Sequence, residues 1–199
     1  MAATAPILHI LAGPNGAGKT SLYRATIREF TNAEFVNADE LSFRTLGRHA
    51  QTRAESQLGQ DLANARRDAL VAAGESLVTE STFSHPSKLE FIERAKALGY
   101  IVVVYHVNVE SAEDAVARVA ARRAQGGHPV PEANIRARYE RNQPLIREAV
   151  RLADRALVFD NSALGKRPRR LITFVRGRAQ EVAAPLPPWA RTLYAEDLA

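Results

Sequence analysis

Residues 13–21 read GPNGAGKTS, between the apolar run ILHILA at 7–12 and the amphipathic run KTSLYRATIREF at 19–30. The stretch fits G-x-x-x-x-G-K-[ST], and its flanks predict a strand before it and a helix after it. Each part has a chemical reason. Glycines let backbone N–H groups curl round an anion, the helix start adds partial positive charge, and a lysine neutralises the β- and γ-phosphate oxygens. The pattern assigns Gly13, Pro14, Asn15, Gly16, Ala17, Gly18, Lys19, Thr20 and Ser21 to nucleotide binding, with the Thr20 hydroxyl on magnesium. Glycines at 13, 16 and 18 do not make the G-x-G-x-x-G dinucleotide fingerprint, so NAD is disfavoured. The sequence also contains neither the guanine-reading N-K-x-D nor the LSGGQ of transporter ATPases.

Outward from this loop, short apolar runs alternate with longer amphipathic ones, which predicts an α/β fold with a parallel sheet covered by helices. Six strands are expected, at Ile7–Ala12, Glu34–Asn37, Ser76–Glu80, Ile101–Val109, Ala156–Asp160 and Leu171–Val175. Helices are expected at about Lys19–Phe30, Gln51–Ala73, Pro86–Leu98, Ala112–Gln125 and Pro131–Ala153. Ser111 with Asp114 is a capping-box pattern opening the fourth helix, and Gly126 with Gly127 closes it. Pro144 would remove a hydrogen bond from the fifth, predicting a kink or restart there. The reading is of one kinase domain over 1–199, with a core at about 7–180, a helical lid at about 118–142 and a proline-rich C-terminal arm or short helix at about 184–199.

Composition narrows the setting. No apolar run approaches the roughly 18 residues of a membrane span and no basic leader is seen, so a cytoplasmic location is expected. With no cysteine, thiolate metal sites and thiol nucleophiles are excluded. The net charge of +5 is concentrated between Arg118 and Arg155, where nine Arg face four acids. Such an excess suits an anionic ligand or a solvated helix face. Tyr139 is the one aromatic residue in that segment, so the stacking platforms of a nucleic-acid binder are lacking.

Phosphoryl transfer also needs a group to take the acceptor's proton. Asp39, twenty residues after Lys19, falls at the carboxyl edge of the second strand, where open α/β sheets bind ligands. It could serve as that base, or only cap the following helix with Ser42 nearby. Glu80 falls at the same edge and could hold a magnesium-bound water or an acceptor hydroxyl, with Ser81 and Thr82 bonding the acceptor. Its alternative is a turn carboxylate. Arg123 and Arg136 flank GGHPVPEAN and could converge on a transferring phosphoryl group. Arg118 with Arg122, or Arg138 with Arg141, are alternative pairs. His128 at the lid tip reads as a turn residue or a substrate contact, and the other four histidines have no metal-ligand spacing.

Taken in order, GPNGAGKTS, VNADE (36–40), GESLVTESTFS (74–84), KALGY (96–100), RRAQGGHPVPEANIRARYER (122–141) and VFDNS (158–162) resemble the zeta toxin family of P-loop kinases, in its short form with a GGH-x-VP lid. The likeness covers about residues 7–165. It implies phosphorylation of UDP-N-acetylglucosamine or a related UDP-sugar at the 3′-hydroxyl of the amino sugar, with ATP or GTP and Mg2+. It also implies Lys19 on the phosphates, Asp39 as base, Glu80 near metal and acceptor, Arg123 and Arg136 as lid arginines, and Asp160-Asn161-Ser162 near the nucleobase. An antitoxin protein is implied as partner by analogy alone. Ser81-Thr82 replaces paired threonines, Pro144 interrupts the lid helix and no long C-terminal extension follows. Another metabolite or antibiotic hydroxyl is therefore an alternative acceptor, and a nucleotide-dependent regulatory ATPase an alternative output.

Overall fold

The computed structural model describes residues 4–124 and 130–198. Its centre is β1 (Ile7–Ala12), whose side chains are buried on both faces apart from the half-buried Ile7. Such largely apolar, buried strands belong in the middle of a parallel sheet. β1 pairs in parallel with β3 (Leu77–Ser81) on one side and β4 (Ile101–Asn108) on the other. β2 (Glu34–Val36) lies outside β3 and β5 (Arg155–Asp160) outside β4, also in parallel. The full order is β2-β3-β1-β4-β5-β6-β7. Ligands of such sheets bind beyond the carboxyl ends of the strands, where connections leave in opposite directions.

The last two strands depart from the sequence reading of six parallel strands. β6 (Arg169–Val175) is antiparallel to β5, and a seventh strand, β7 (Arg178–Val182), is antiparallel to β6. Arg176 at φ 48 and Gly177 at φ 71 form the two-residue turn between them. Positive φ at both turn positions matches the twist of a hairpin.

Helices cover both faces. α3 (Arg53–Ala72), α4 (Ser87–Ala97) and α7 (Gln143–Leu152) close one core with Leu8, Ile10, Val102 and Val104. α1 (Lys19–Ala25) closes the other over Leu11, Val78 and Val107. α3 opens on a capping box in which Thr52 and Glu55 satisfy each other's backbone N–H. An additional helix, α2 (Ala38–Leu46), follows β2 and is capped by Asn37, whose Oδ1 accepts from the Glu40 N–H at 3.0 Å. α2 and α3 approach closely at Gly59, where a Cβ would stand 2.6 Å from the Ala38 carbonyl oxygen.

The expected restart at Pro144 is present: α6 (Glu132–Arg141) ends, Asn142 intervenes, and α7 begins with the proline in its first turn. α5 (Ala112–Ala124) packs on α6 through its own small core of Ala115, Val119 and Ile135. Gly126 and Gly127, read as the end of α5, lie outside the described residues. Near the C-terminus α8 (Pro188–Leu193) and the fully buried Tyr194 pack against the main core. Among the described residues no helix is long and apolar enough to cross a membrane.

Candidate active site

The phosphate loop leaves β1 and curls under two neighbours. A Cβ at Gly16 (φ 78) would sit 2.6 Å from the Ala115 carbonyl oxygen, and one at Gly18 (φ 92) 2.3 Å from Asn161 Nδ2. Both contacts and both dihedrals require glycine. Asn161 does not line the cleft itself. It braces the loop from the end of β5, donating through Nδ2 to the Ala17 carbonyl at 2.8 Å and through its N–H to Asn108 at 2.8 Å. Arg118 in turn donates to the Asn161 carbonyl at 2.6 Å.

Lys19 is the first residue of α1 and is 8% exposed. Its Nζ donates to the carbonyls of Gly13 at 3.0 Å and Pro14 at 3.1 Å, closing the loop on itself. Burial pushes its pKa down; Glu80 and Asp39 oppose that, and Arg122 adds to it. Those three charges therefore stand round the lysine. Beside it, Thr20 Oγ1 donates to Glu80 Oε2 at 2.8 Å.

A threonine hydroxyl and a carboxylate in contact are hard oxygen donors of the type magnesium takes. Among the described residues no group of three or more His, Cys, Asp or Glu is placed to hold a metal. The donor set fits an ion held by one or two protein oxygens, with phosphates and water filling its other positions.

Asp39 lies in the first turn of α2, exposed and facing the cleft. Capping that helix falls to Asn37, which removes the purely structural role considered for Asp39. Ser81 and Thr82 also line the cleft: Ser81 Oγ accepts from the Phe83 N–H at 3.0 Å, and Thr82 Oγ1 shares a hydrogen bond with Ser84 Oγ at 2.8 Å. Phe83 between them is buried at φ 54, a conformation costly for a non-glycine residue.

The arginines divide. Arg118, Arg122 and Arg123 from α5 and Arg138 from α6 line the cleft. Arg138 Nη1 reaches Asn15 Oδ1 of the phosphate loop at 3.4 Å. Arg136, two residues away, is not among the lining residues and is held instead by Glu132 at 2.9 Å and by Glu113. His128 lies outside the described residues.

The cleft these groups enclose has a volume of about 1770 Å³ and, among the described residues, is lined by ten Lys and Arg side chains against three carboxylates. A site for one small ligand is roughly 300–1,000 Å³; this one has room for two. Five of its cations escaped the sequence reading: Arg24, Arg44, Arg53, Arg67 and Lys88. Arg67 belongs to the buried stripe of α3 with Gly59, Ala63 and Leu70, and a charge in an apolar stripe was the available signal.

A family model described as Zeta toxin matches residues 1–164. No curated protein matches in sequence. Among solved structures, a chain of the AvrRxo1-ORF1:-ORF2 complex with ATP is similar at TM-score 0.66 and 18% identity, over 98% of this chain and 64% of that one. A chain of the PezAT toxin-antitoxin system of Streptococcus pneumoniae is similar at TM-score 0.59 and 16% identity, over 81% and 70%. Shikimate kinase from Acinetobacter baumannii, in complex with shikimate, gives TM-score 0.50 and 21% identity over 72% and 80%. At these identities the likeness is one of fold, and this chain spans less than two thirds of the AvrRxo1 chain.

Proposed function

Because the chain belongs to the zeta toxin family, we propose that it is a kinase passing the γ-phosphoryl group of ATP or GTP to the hydroxyl of a small acceptor, a UDP-activated amino sugar of the UDP-N-acetylglucosamine type. The observation that carries the reading is the convergence on one cleft of Lys19, the Thr20–Glu80 pair, Asp39 and the arginines of α5 and α6. A pure nucleotide switch has no need of a carboxylate base or of space for a second ligand.

In this reading Lys19 exchanges its two loop carbonyls for phosphate oxygens. The acceptor oxygen attacks the γ-phosphorus, its proton passes to the Asp39 carboxylate, and the bond to the β-phosphate oxygen breaks to release the diphosphate. Cationic side chains from the lid meet the charge on the equatorial oxygens. Thr20 and Glu80 would hold magnesium, which supplies charge neutralisation between the β- and γ-phosphates. Ser81 and Thr82 bond the acceptor, and Asn161 keeps the loop beneath the nucleotide in shape. Solved relatives in fold carry ATP in one case and come from toxin–antitoxin pairs in another, which supports a nucleotide substrate and an antitoxin partner. A cytoplasmic setting, where the nucleotides are abundant, is part of the proposal.

The test is ATP-dependent gain of one phosphate by UDP-N-acetylglucosamine, read by mass spectrometry, in wild type and Asp39→Asn. Removal of the base should cost about a hundredfold to ten-thousandfold in rate with ATP affinity retained. Wild-type inactivity on UDP-N-acetylglucosamine alongside transfer to other hydroxyl metabolites would reject the acceptor and keep the kinase.

A further inference from the structure

β7 ends the sheet order on the side away from β2, so among the described residues it has a strand neighbour on one side only. Successive residues of an antiparallel strand turn their backbone groups alternately toward the partner strand and away from it. The N–H of Ala183, just past β7, points inward and donates to the Leu171 carbonyl at 2.7 Å. Val182, one residue earlier and opposite Ile172, therefore presents its N–H and C=O to the outside. Its side chain is exposed, as is that of Val175 at the end of β6. An edge of this kind is a template for a further strand.

Charge decides what that strand can be. Residues 163–182 carry six cations, Lys166, Arg167, Arg169, Arg170, Arg176 and Arg178, against the single acid Glu181. All six are exposed, and Glu181 is already paired with Arg170 at 3.2 Å. Among the described residues no carboxylate pairs with Lys166, Arg167, Arg176 or Arg178. The antiparallel pairing of β5, β6 and β7 sets residues 166–170 at one end of the hairpin and Arg176 and Arg178 at the other. A second copy of this chain is excluded as the occupant by its own charge, because its β7 would bring six like cations against these. None of these residues lines the cleft, so the surface is separate from the candidate active site.

We propose that the outer edge of β7 docks an extended, acidic segment of a partner protein, which adds to the sheet as a further strand. Backbone hydrogen bonds to outward groups such as those of Val182 give affinity, while the cations at both ends of the hairpin select acidic side chains and speed the encounter. β7 is five residues long, and at about 3.4 Å per residue a segment of about five to eight residues reaches from one group of cations to the other. Val175 and Val182 favour β-branched side chains at alternate positions of that segment. The charge that keeps two copies apart is the charge that recruits the partner, so the edge is guarded against self-association and open to an acid. The proposal does not rest on the kinase reading, and a partner seated here leaves the cleft open to nucleotide.

The test titrates the full chain with a fluorescein-labelled octapeptide of alternating glutamate and valine, read by fluorescence anisotropy with and without saturating ATP. The peptide is expected to bind equally well in both conditions and to protect the Val182 amide from hydrogen exchange. The double variant Arg167→Glu/Arg178→Glu should weaken it about tenfold or more. Val182→Pro removes the outward N–H, a change that an edge strand tolerates, and should weaken binding by a similar factor. Where that variant fails to fold, a peptide of the same sequence with every backbone nitrogen methylated puts the same question to wild type. Displacement by ATP would place the peptide in the basic cleft and overturn the proposal. So would absence of binding, equal affinity for the methylated peptide, or unchanged affinity in the charge-reversed variant. A DNA duplex and phosphatidylserine vesicles are titrated in parallel. Tighter binding of either one, lost in Arg167→Glu/Arg178→Glu, would give the patch to nucleic acid or to a membrane and overturn the proposal as well.

Discussion

Asn142 Nδ2 donates to the carbonyl oxygen of Thr82 at 2.6 Å and to Ser84 Oγ at 3.1 Å. Asn142 is the residue between α6 and α7, 1% exposed, and the interruption at Pro144 is what turns it toward the loop after β3. One side chain thus joins the junction of α6 and α7 to the Ser81–Ser84 loop, on either side of Phe83 with its positive φ. Asn142→Ala leaves the half-buried Thr82 carbonyl without this donor, so stability should fall by about 1 kcal/mol. Under the kinase reading the acceptor KM should also rise more than the ATP KM. Denaturant midpoints at unchanged slope, with both KM values, check this; loss of stability with both KM values intact would leave Asn142 a structural clamp only.

The contact between Thr20 and Glu80 makes a second prediction. As the oxygens that would hold magnesium, they must trade their mutual hydrogen bond for the ion. Glu80→Gln removes the negative charge while keeping size, and should raise the magnesium concentration for half-maximal rate by about tenfold or more. Thr20→Val should do the same with smaller effect on Lys19, because Glu80 remains to oppose the lysine's burial. A magnesium titration of each variant at saturating ATP decides the matter, and unchanged midpoints would take Glu80 away from the metal.

Acid should loosen the fold through His106. This residue of β4 is fully buried, its Nδ1 lies 2.7 Å from Tyr194 Oη, and among the described residues its Nε2 has no partner. Burial pushes its pKa from 6.5 down to about 3. Between those two pH values the unfolded chain binds a proton that the folded one does not. Stability is therefore full above pH 6.5 and falls as pH drops toward 3, by up to about 1.4 kcal/mol per unit. His9, which burial also lowers, adds a slope of the same sign. Denaturant midpoints at several pH values should show the decline, flattened in His106→Gln to what His9 and the hydrogen-bonded carboxylates Glu34, Glu55 and Glu113 contribute. An undiminished slope in that variant would assign the acid sensitivity elsewhere.

The sequence disclosed most where local chemistry decides structure. The phosphate loop needs its glycines and lysine at fixed spacing, β1 and β4 are apolar enough to be central strands, and Pro144 marks a kink or restart of its helix. β7 was missed because RAQEV is an exposed edge with no apolar face to read. α2 was missed although Asn37 and Gly47 mark its two ends, since only Ser42 within it is buried. The arginine choice was beyond local reading for a different reason. Residues two apart on a helix point about 200° apart, so Arg136 and Arg138 face opposite ways. Which of them meets the cleft depends on where α5 packs and on Glu113, which pairs with Arg136.

That division makes the arginines of α5 and α6 the most discriminating test of the proposed mechanism. Arg123 and Arg138 line the cleft, and Arg138 touches Asn15 of the phosphate loop; Arg136 is engaged by Glu113 and Glu132. A side chain that meets charge developing on the transferring group lowers kcat when removed, with little change in ground-state nucleotide affinity. Arg138→Ala and Arg123→Ala should therefore reduce kcat by about a hundredfold or more, with ATP affinity within a few-fold of wild type. Arg136→Ala removes two partly exposed ion pairs, each worth roughly 0–1 kcal/mol, and should cost a little stability and leave kcat near wild type. A large kcat loss in Arg136→Ala beside a small one in Arg138→Ala would mean that the pairs with Glu113 and Glu132 break during turnover and that Arg136 is the one meeting the phosphoryl group. Losses of similar small size in all three would remove the arginines of α5 and α6 from the transfer step.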